Sequence, residues 1–396
     1  MKQFDERDSM YSRVGLIKNT NKYNNYYKMH PEIKEEDDRV RESSKKMMAK
    51  IYGVELDKLR IAQKTMAIMQ KGMNIVASLK IRKIQMDASD MPIMYGSHTD
   101  DQIIRSHITK SKPALIAAKA MNNSAYKQKV SKYKVKTDPE NLTAIIKELA
   151  LSYGANSVGI AKLEQNHHYS HRGDMFGMGV GYGKPIRVSY QYAIVVASEL
   201  NKDMINRAPR ADVWLAAMLG YAKSSAITAE LALYIKALGY EAQTDNFFEY
   251  YSPITPLAAA AGIGQIGRCN MVISKEYGTR MKIGAVLTNI SLIEDKPVDF
   301  GMVEFCQICN KCARNCPAKA ISFEGPEIFN GVLQWRHNET RCTEMWMKLE
   351  TGCGICMSSC PFSQNIDPNL IKEMKGNKDI IHKIISLDEK KAQKIL

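Results

Sequence analysis

Eight of the nine cysteines in this 396-residue chain fall in two tracts, Cys306-x-x-Cys309-x-x-Cys312-x-x-x-Cys316-Pro317 and Cys342-x10-Cys353-x-x-Cys356-x-x-x-Cys360-Pro361. Thiols at these gaps have to converge on compact inorganic centres, and the fold must provide for that. Three cysteines at two-residue gaps on a turning loop offer three thiolates to one small volume, so the spacing reads as two 4Fe–4S clusters. In runs of this kind the cysteine before proline opens a helix that points across the module and ligates the other cluster. The expected sets are Cys306, Cys309, Cys312 and Cys360 for one cluster, and Cys316, Cys342, Cys353 and Cys356 for the second.

Zinc is the competing reading, since paired Cys-x-x-Cys units also build tetrahedral zinc sites. Zinc has no use for a third cysteine two residues on or for a repeated Cys-Pro. A disulfide framework belongs to short secreted chains with too little core, which this is not. Cys269, alone in a glycine-rich stretch, reads as a small buried side chain rather than a ligand.

The length allows one large domain and a small module. Hydrophobic content of 45% and charged content of 25% are ordinary globular values. A net charge of +14 favours an anionic surface such as a membrane face, a nucleic acid or an acidic redox partner, without choosing among them. No apolar run reaches the roughly 18 residues needed to cross a bilayer. Met1 to Asp8 lack the pattern of a secretory signal, which reads as a cytoplasmic protein or as a mature form.

The spacing pattern predicts four regions. Residues 1–137 are polar, lysine- and methionine-rich, with helical stretches near Glu42–Met73 and Pro113–Met121, and read as a wrapping segment. Residues 138–298 read as an α/β core: a helix capped by Asp138, strands at Ser157–Ala161 and Tyr192–Ala197, a long helix over Val213–Leu238 closed by Gly239, and strands near Tyr240–Thr244 and Lys282–Leu292. Residues 299–366 form the cysteine module. Residues 367–396 are a helical tail, with Ile380–Leu396 a solvated amphipathic helix packed by one face.

Two clusters need something to receive their electrons, and Gly262-x-Gly264-x-x-Gly267 superficially matches a dinucleotide fingerprint. It follows the alanine-rich, helix-like Leu257–Ala261 rather than a strand, and no acidic residue stands at the usual offset, so the Rossmann reading is set aside. These glycines are expected to let backbone approach a large flat ligand.

The run Ala258–Arg268, then Met271–Lys282, Phe300-Gly301 and the two cysteine tracts, resembles the corrinoid-dependent reductive dehalogenases from about residue 154 to residue 362. The opening Asp5-Glu6-Arg7-Asp8, with Tyr26-Tyr27, His30-Pro31-Glu32 and Asp37-Asp38, resembles the mature N-terminus of the respiratory members, just after their twin-arginine leader. The resemblance implies an α+β fold: a nitroreductase-like cobalamin-binding α/β domain, a C-terminal ferredoxin-like module with two 4Fe–4S clusters, and a helical N-terminal segment. The cobamide would be base-off, and no Asp-x-His-x-x-Gly segment is present to offer cobalt a histidine. Gly262, Gly264, Gly267, Arg268 and Asp245 are the expected corrinoid contacts.

Reductive dehalogenation exchanges carbon–halogen for carbon–hydrogen with two electrons and one proton. The resemblance implies a tyrosine as proton donor, and Tyr221 holds the matching place on the long helix. A phenol ordinarily titrates near pH 10, and a neighbouring cation eases release of its proton. Lys282 stands at the matching position, with Arg280 as runner-up and Asn246 matching a family asparagine. From the residues alone, Tyr221 reads as a core aromatic and Lys282 as a solvated strand residue. Trp214, Phe176, Tyr182 and Met178 are candidate walls of an apolar pocket. The 23 methionines and the alanine-lined segments favour small chlorinated alkanes or alkenes.

The implied partners are a small organohalide, a small membrane-anchor subunit and an upstream electron donor, with room for a homo-oligomer and no nucleic acid. The implied location is the outer face of the cytoplasmic membrane, reached by twin-arginine export. Two rivals stand beside this: an epoxyqueuosine-reductase-like enzyme acting on tRNA, which the positive charge suits, and a two-cluster electron-transfer protein.

Overall fold

Alternation along short apolar strands decides the centre of the molecule. The structure is a computed structural model that describes residues 3–52, 102–173, 182–349 and 351–393. Strands β1 (Ser157–Lys162), β2 (Tyr192–Glu199), β3 (Ala242–Asp245) and β4 (Met281–Thr288) form one sheet in spatial order β1-β2-β4-β3, with every pair antiparallel. Successive side chains point to opposite faces. Ile160, Ile194, Val196 and Val286 therefore enter one core, and Ala161, Ala193, Val195, Ala197, Ala285 and Leu287 the other. Both faces are covered, which is why these strands read as continuous apolar runs.

Ten helices are named here: α1 (Met10–Gly15), α2 (Asn21–Met29), α3 (Lys34–Tyr52), α4 (Gln102–Lys127), α5 (Pro139–Ser152), α6 (Ala211–Ala237), α7 (Ile254–Ala260), α8 (Met302–Cys309), α9 (Glu339–Leu349) and α10 (Lys378–Gln393). Asp138 caps α5 by accepting Asn141 N–H at 2.8 Å, and Leu142 and Ile146 then enter the first core. Helix α6 is apolar nearly all round and is buried along the same sheet face. Gly239, at φ +88°, turns the chain out of it. Helix α7 lies on the opposite face through Leu257 and Ala258.

Two expected boundaries cut through packed cores. Helix α4 lies along α6 instead of wrapping the outside: Ala118 and Ala125 are buried, and the Lys236 ammonium donates to Ala125 O at 2.7 Å and Gln128 O at 3.2 Å. Pro113 sits inside this helix. The 367–396 tail packs into the cysteine module by one face. Ile371, Met374, Ile381 and Ile384 join Phe305, Phe362, Cys306 and Cys360 in one apolar cluster, and Lys311 pairs with Asp388 of α10. Of the expected Glu42–Met73 helix, the part beyond Tyr52 lies outside the described residues.

The N-terminal motif residues are bound to one another. Tyr26 donates to Asp8 at 3.0 Å, Tyr27 to Asp37 at 3.0 Å and Tyr23 to Asp38 at 2.8 Å, while Arg13 pairs with Asp37 at 2.9 Å and Arg41 reaches Tyr27 Oη at 2.9 Å. Glu6, 5% exposed, accepts Gly173 N–H at 2.6 Å. Among the described residues, no helix is long and apolar enough to cross a membrane.

Candidate functional site

The cysteine tracts gain their turns from residues that tolerate a left-handed backbone. Gly301 (φ +89°) opens α8, Asn310 (φ +53°) separates it from the Lys311–Arg314 turn, and Gly354 (φ +65°) precedes Ile355–Ser358. These turns bring Cys306, Cys309, Cys312 and Cys360 to one cavity, lined also by Arg268, Cys269, Ile273 and Phe305. Cys316, Cys342, Cys353 and Cys356 are mutual charge neighbours, and Cys356 also feels Cys312, so the second set adjoins the first. The Ala320 N–H donates to Cys316 Sγ at 3.3 Å.

Burial pushes the Cys306 thiol up to about 12 and the Cys312 thiol up to about 11, so a positively charged centre would be needed to hold them as thiolates. Cys342, on α9, is the residue expected from the sequence as the outlying ligand of the second set. Cys342→Ser is expected to lower iron from about eight to about four per chain, read by metal analysis after anaerobic reconstitution; a full complement would remove it from the set.

Helix α6 and strand β4 bring a second pair of residues together. Trp214, Met218, Tyr221 and Ser225 share one face of α6, at spacings of four, three and four residues. Lys282 is the second residue of β4, opposite Ser198. A Cβ added at Gly220 would lie 2.8 Å from Lys282 Cγ, so the glycine makes room for the lysine stem. The Lys282 ammonium stands 4.2 Å from the centroid of the Tyr221 ring, and Phe247 stacks on that ring at 4.5 Å and 27°. This is a cation–π arrangement, with the charge over the ring face.

Other expected residues have different occupations. Arg280, 1% exposed, spends its guanidinium on Glu199 Oε1 (2.5 Å), Ser363 O (2.8 Å), Leu200 O (2.9 Å) and Asn365 Oδ1 (3.0 Å), and so fastens the cysteine module to the sheet. Asn246 donates to Asn122 Oδ1 at 2.9 Å and Thr228 Oγ1 at 2.8 Å and accepts Phe248 N–H at 3.0 Å, which commits it to the α4–α6 packing. Asp245 faces the opposite side of the sheet from Lys282. Burial pushes it up to about 6, opposed by hydrogen bonds from Ser252 and from Tyr251 N–H, the latter at 3.0 Å.

The glycine triplet does allow close approach, but to the chain itself. An added Cβ would meet Lys296 O at 2.8 Å from Gly262, Ile273 O at 2.2 Å from Gly264, and the Ile273 side chain at 2.3 Å from Gly267. The hairpin pairing Gln265-Ile266 with Val272-Ile273 causes the last two. Arg268, expected at the corrinoid, is 2% exposed and donates to Cys306 O, Ser322 O and Glu324 O, bracing the cluster cavity. Tyr182 packs with the N-terminal tyrosines instead of walling a pocket. Trp214 lies against Gly352, beside the second cysteine tract. Phe176 and Met178 lie outside the described residues.

Two groups had no chemical signal in the sequence. Tyr11, on α1, packs against Trp346 with centroids 6.2 Å apart. Burial, then the charges of Tyr221, Cys342 and Glu339, push its phenol well above the ordinary range, opposed by a hydrogen bond with Thr343. An N-terminal phenol is thus buried against α9, the helix that carries Cys342. Asn166 Oδ1 and His168 Nδ1 are buried with no hydrogen-bond partner among the described residues, and burial lowers His168 to about 4. A buried neutral imidazole and a buried amide oxygen are suited to amide N–H donors, and the rim of a corrinoid carries such groups.

A 4Fe-4S dicluster domain model matches residues 305–366. The chain is 31% identical over 260 residues to the tetrachloroethene reductive dehalogenase of Sulfurospirillum multivorans, covering 58% of this chain and 51% of that one. It is 35% identical over 130 residues to the epoxyqueuosine reductase of Lactococcus garvieae (strain Lg2), covering 31% of this chain and 36% of that one. Among solved structures, a reductive dehalogenase reported with a mechanism for B12-dependent dehalogenation superposes with a TM-score of 0.61 at 25% identity, over 70% of this chain and 41% of that one. The chain spans about half the length of the first of these relatives.

Proposed function

The chain belongs to the corrinoid and iron–sulfur reductive dehalogenase family, and from that premise we propose that it removes halide from a small organohalide, replacing carbon–halogen by carbon–hydrogen. The observation that carries this reading is the Tyr221–Lys282 pair, set on a helix whose same face begins at Trp214 beside the second cysteine tract. The overall change consumes two electrons and one proton and yields halide. A cobamide, when bound, would supply the redox chemistry of cobalt toward the carbon–halogen bond.

The chain's own residues supply the rest. The two thiol sets would hold the 4Fe–4S clusters, which would supply one-electron transfer. The Tyr221 hydroxyl gives the proton, and the Lys282 ammonium over the ring faces the negative charge left behind. Phe247 fixes the plane of the ring. Asn166 and His168, whose buried acceptors have no partner among the described residues, would hold the cobamide by accepting hydrogen bonds from its amides. We place this chemistry in organohalide respiration on short chlorinated alkanes or alkenes, at the outer face of the cytoplasmic membrane, with a separate anchor subunit and an upstream donor. The likeness of Asp5–Asp8 and its partners to exported members supports that setting, and the charge of +14 suits an anionic membrane surface.

The test is anaerobic reconstitution with cobalamin, iron and sulfide, a metal count, and assay with a reduced viologen against chloroalkanes, chloroethenes and a chlorophenol. About eight irons and one cobalt per chain with halide release are expected. The same metals without halide would favour an epoxyqueuosine-reductase-like activity, and iron without cobalt would favour an electron carrier.

A further inference from the structure

The ninth cysteine does not stand apart from the other eight. Cys269 lines the same cavity as Cys306, Cys309, Cys312 and Cys360. It also packs with Cys312, Cys316 and Cys356, beside Ala313, Ile321 and Met271. The two residues before it are held against Cys306: a Cβ added at Gly267 would lie 3.5 Å from Cys306 Sγ, and Arg268 donates to Cys306 O at 3.0 Å. Each set already has four thiols, the full complement of a cubane. A ninth, held at the seam in apolar surroundings, serves as a weak S–H donor.

We propose that Cys269 is a potential-setting residue, a protonated thiol that donates a hydrogen bond to sulfur of the cluster held by Cys306, Cys309, Cys312 and Cys360, at the junction with the second cluster. The inference rests on the two-cluster reading and not on the identity of the substrate. Reduction adds one electron to the cluster and makes it more negative, while the thiol keeps its proton and no bond to it forms or breaks. A donor hydrogen bond to cluster sulfur stabilises the reduced state and raises the potential. The thiol therefore makes this cluster easier to reduce.

The experiment is a dithionite titration followed by electron paramagnetic resonance on reconstituted wild type, Cys269→Ala and Cys269→Ser, with an iron count on each. All three are expected to hold about eight irons. Cys269→Ala is expected to shift the reduction equilibrium of one cluster about tenfold toward the oxidised form, ~59 mV for a one-electron couple. Cys269→Ser keeps a donor and is expected to recover most of the shift. Unchanged potentials in Cys269→Ala, or a shift in the opposite sense, would overturn the proposal. Iron falling toward four in either variant would make Cys269 a ligand and would overturn it too. Because neither readout uses an organohalide, failure here is separate from failure of the dehalogenase reading.

Discussion

Tyr221→Phe is expected to leave iron and corrinoid content intact while turnover falls by about 10² to 10⁴, the range for a lost general acid. The substitution keeps the ring against which Phe247 stacks at 4.5 Å and over which Lys282 stands at 4.2 Å, and it removes only the hydroxyl. A loss of that size with cofactors retained therefore belongs to the proton. Lys282→Met is the companion variant: it keeps a stem of similar length beside Gly220 and loses the charge. It is expected to lower turnover and to move its dependence on pH. Tyr11→Phe is the control, because its phenol is a charge neighbour of Tyr221 inside the protein. If Tyr11→Phe abolishes turnover and Tyr221→Phe does not, the proton comes from the N-terminal segment and the assignment is reversed.

Much of this arrangement was legible because ligation fixes spacing. Gaps of this kind group thiols, and one cavity is lined by Cys306, Cys309, Cys312 and Cys360, together with Cys269, which spacing alone had set apart. The long helix and its closing Gly239 were legible for a similarly local reason, a continuous buried run followed by a residue free to take φ +88°. What the sequence hid is non-local. Glycine reports that something comes close without saying what, and at Gly264 the visitor is Ile273 O across a two-residue hairpin. An arginine near a cofactor motif looks the same whether it faces ligand or carbonyls; Arg268 faces three carbonyls. Tyr11 and α4 come into place only through contacts made across more than a hundred residues, which no periodicity records.

Arg280→Met is expected to cost about 3–5 kcal/mol, the range for removing one partner of a buried charged network. The guanidinium is 1% exposed and its four contacts join two parts of the molecule: Glu199 and Leu200 at the end of β2, and Ser363 and Asn365 just beyond Cys360-Pro361. Two of the four are main-chain carbonyls that water does not easily replace, and each stranded acceptor costs about 1–3 kcal/mol. The ion pair itself contributes less, since the Glu199 side chain is 35% exposed and can turn to solvent. Glu199→Gln is accordingly expected to cost about 1 kcal/mol or less. The two variants, compared by thermal unfolding of the reconstituted protein, separate the causes: equal losses would assign the seam to the ion pair, whereas a much larger loss in Arg280→Met assigns it to the carbonyls. Because Arg280 lies two residues before Lys282, the same variant is also expected to loosen the start of β4. Its turnover should then fall further than Glu199→Gln at temperatures where both remain folded, which links the fastening of the cluster module to the position of the ammonium over Tyr221.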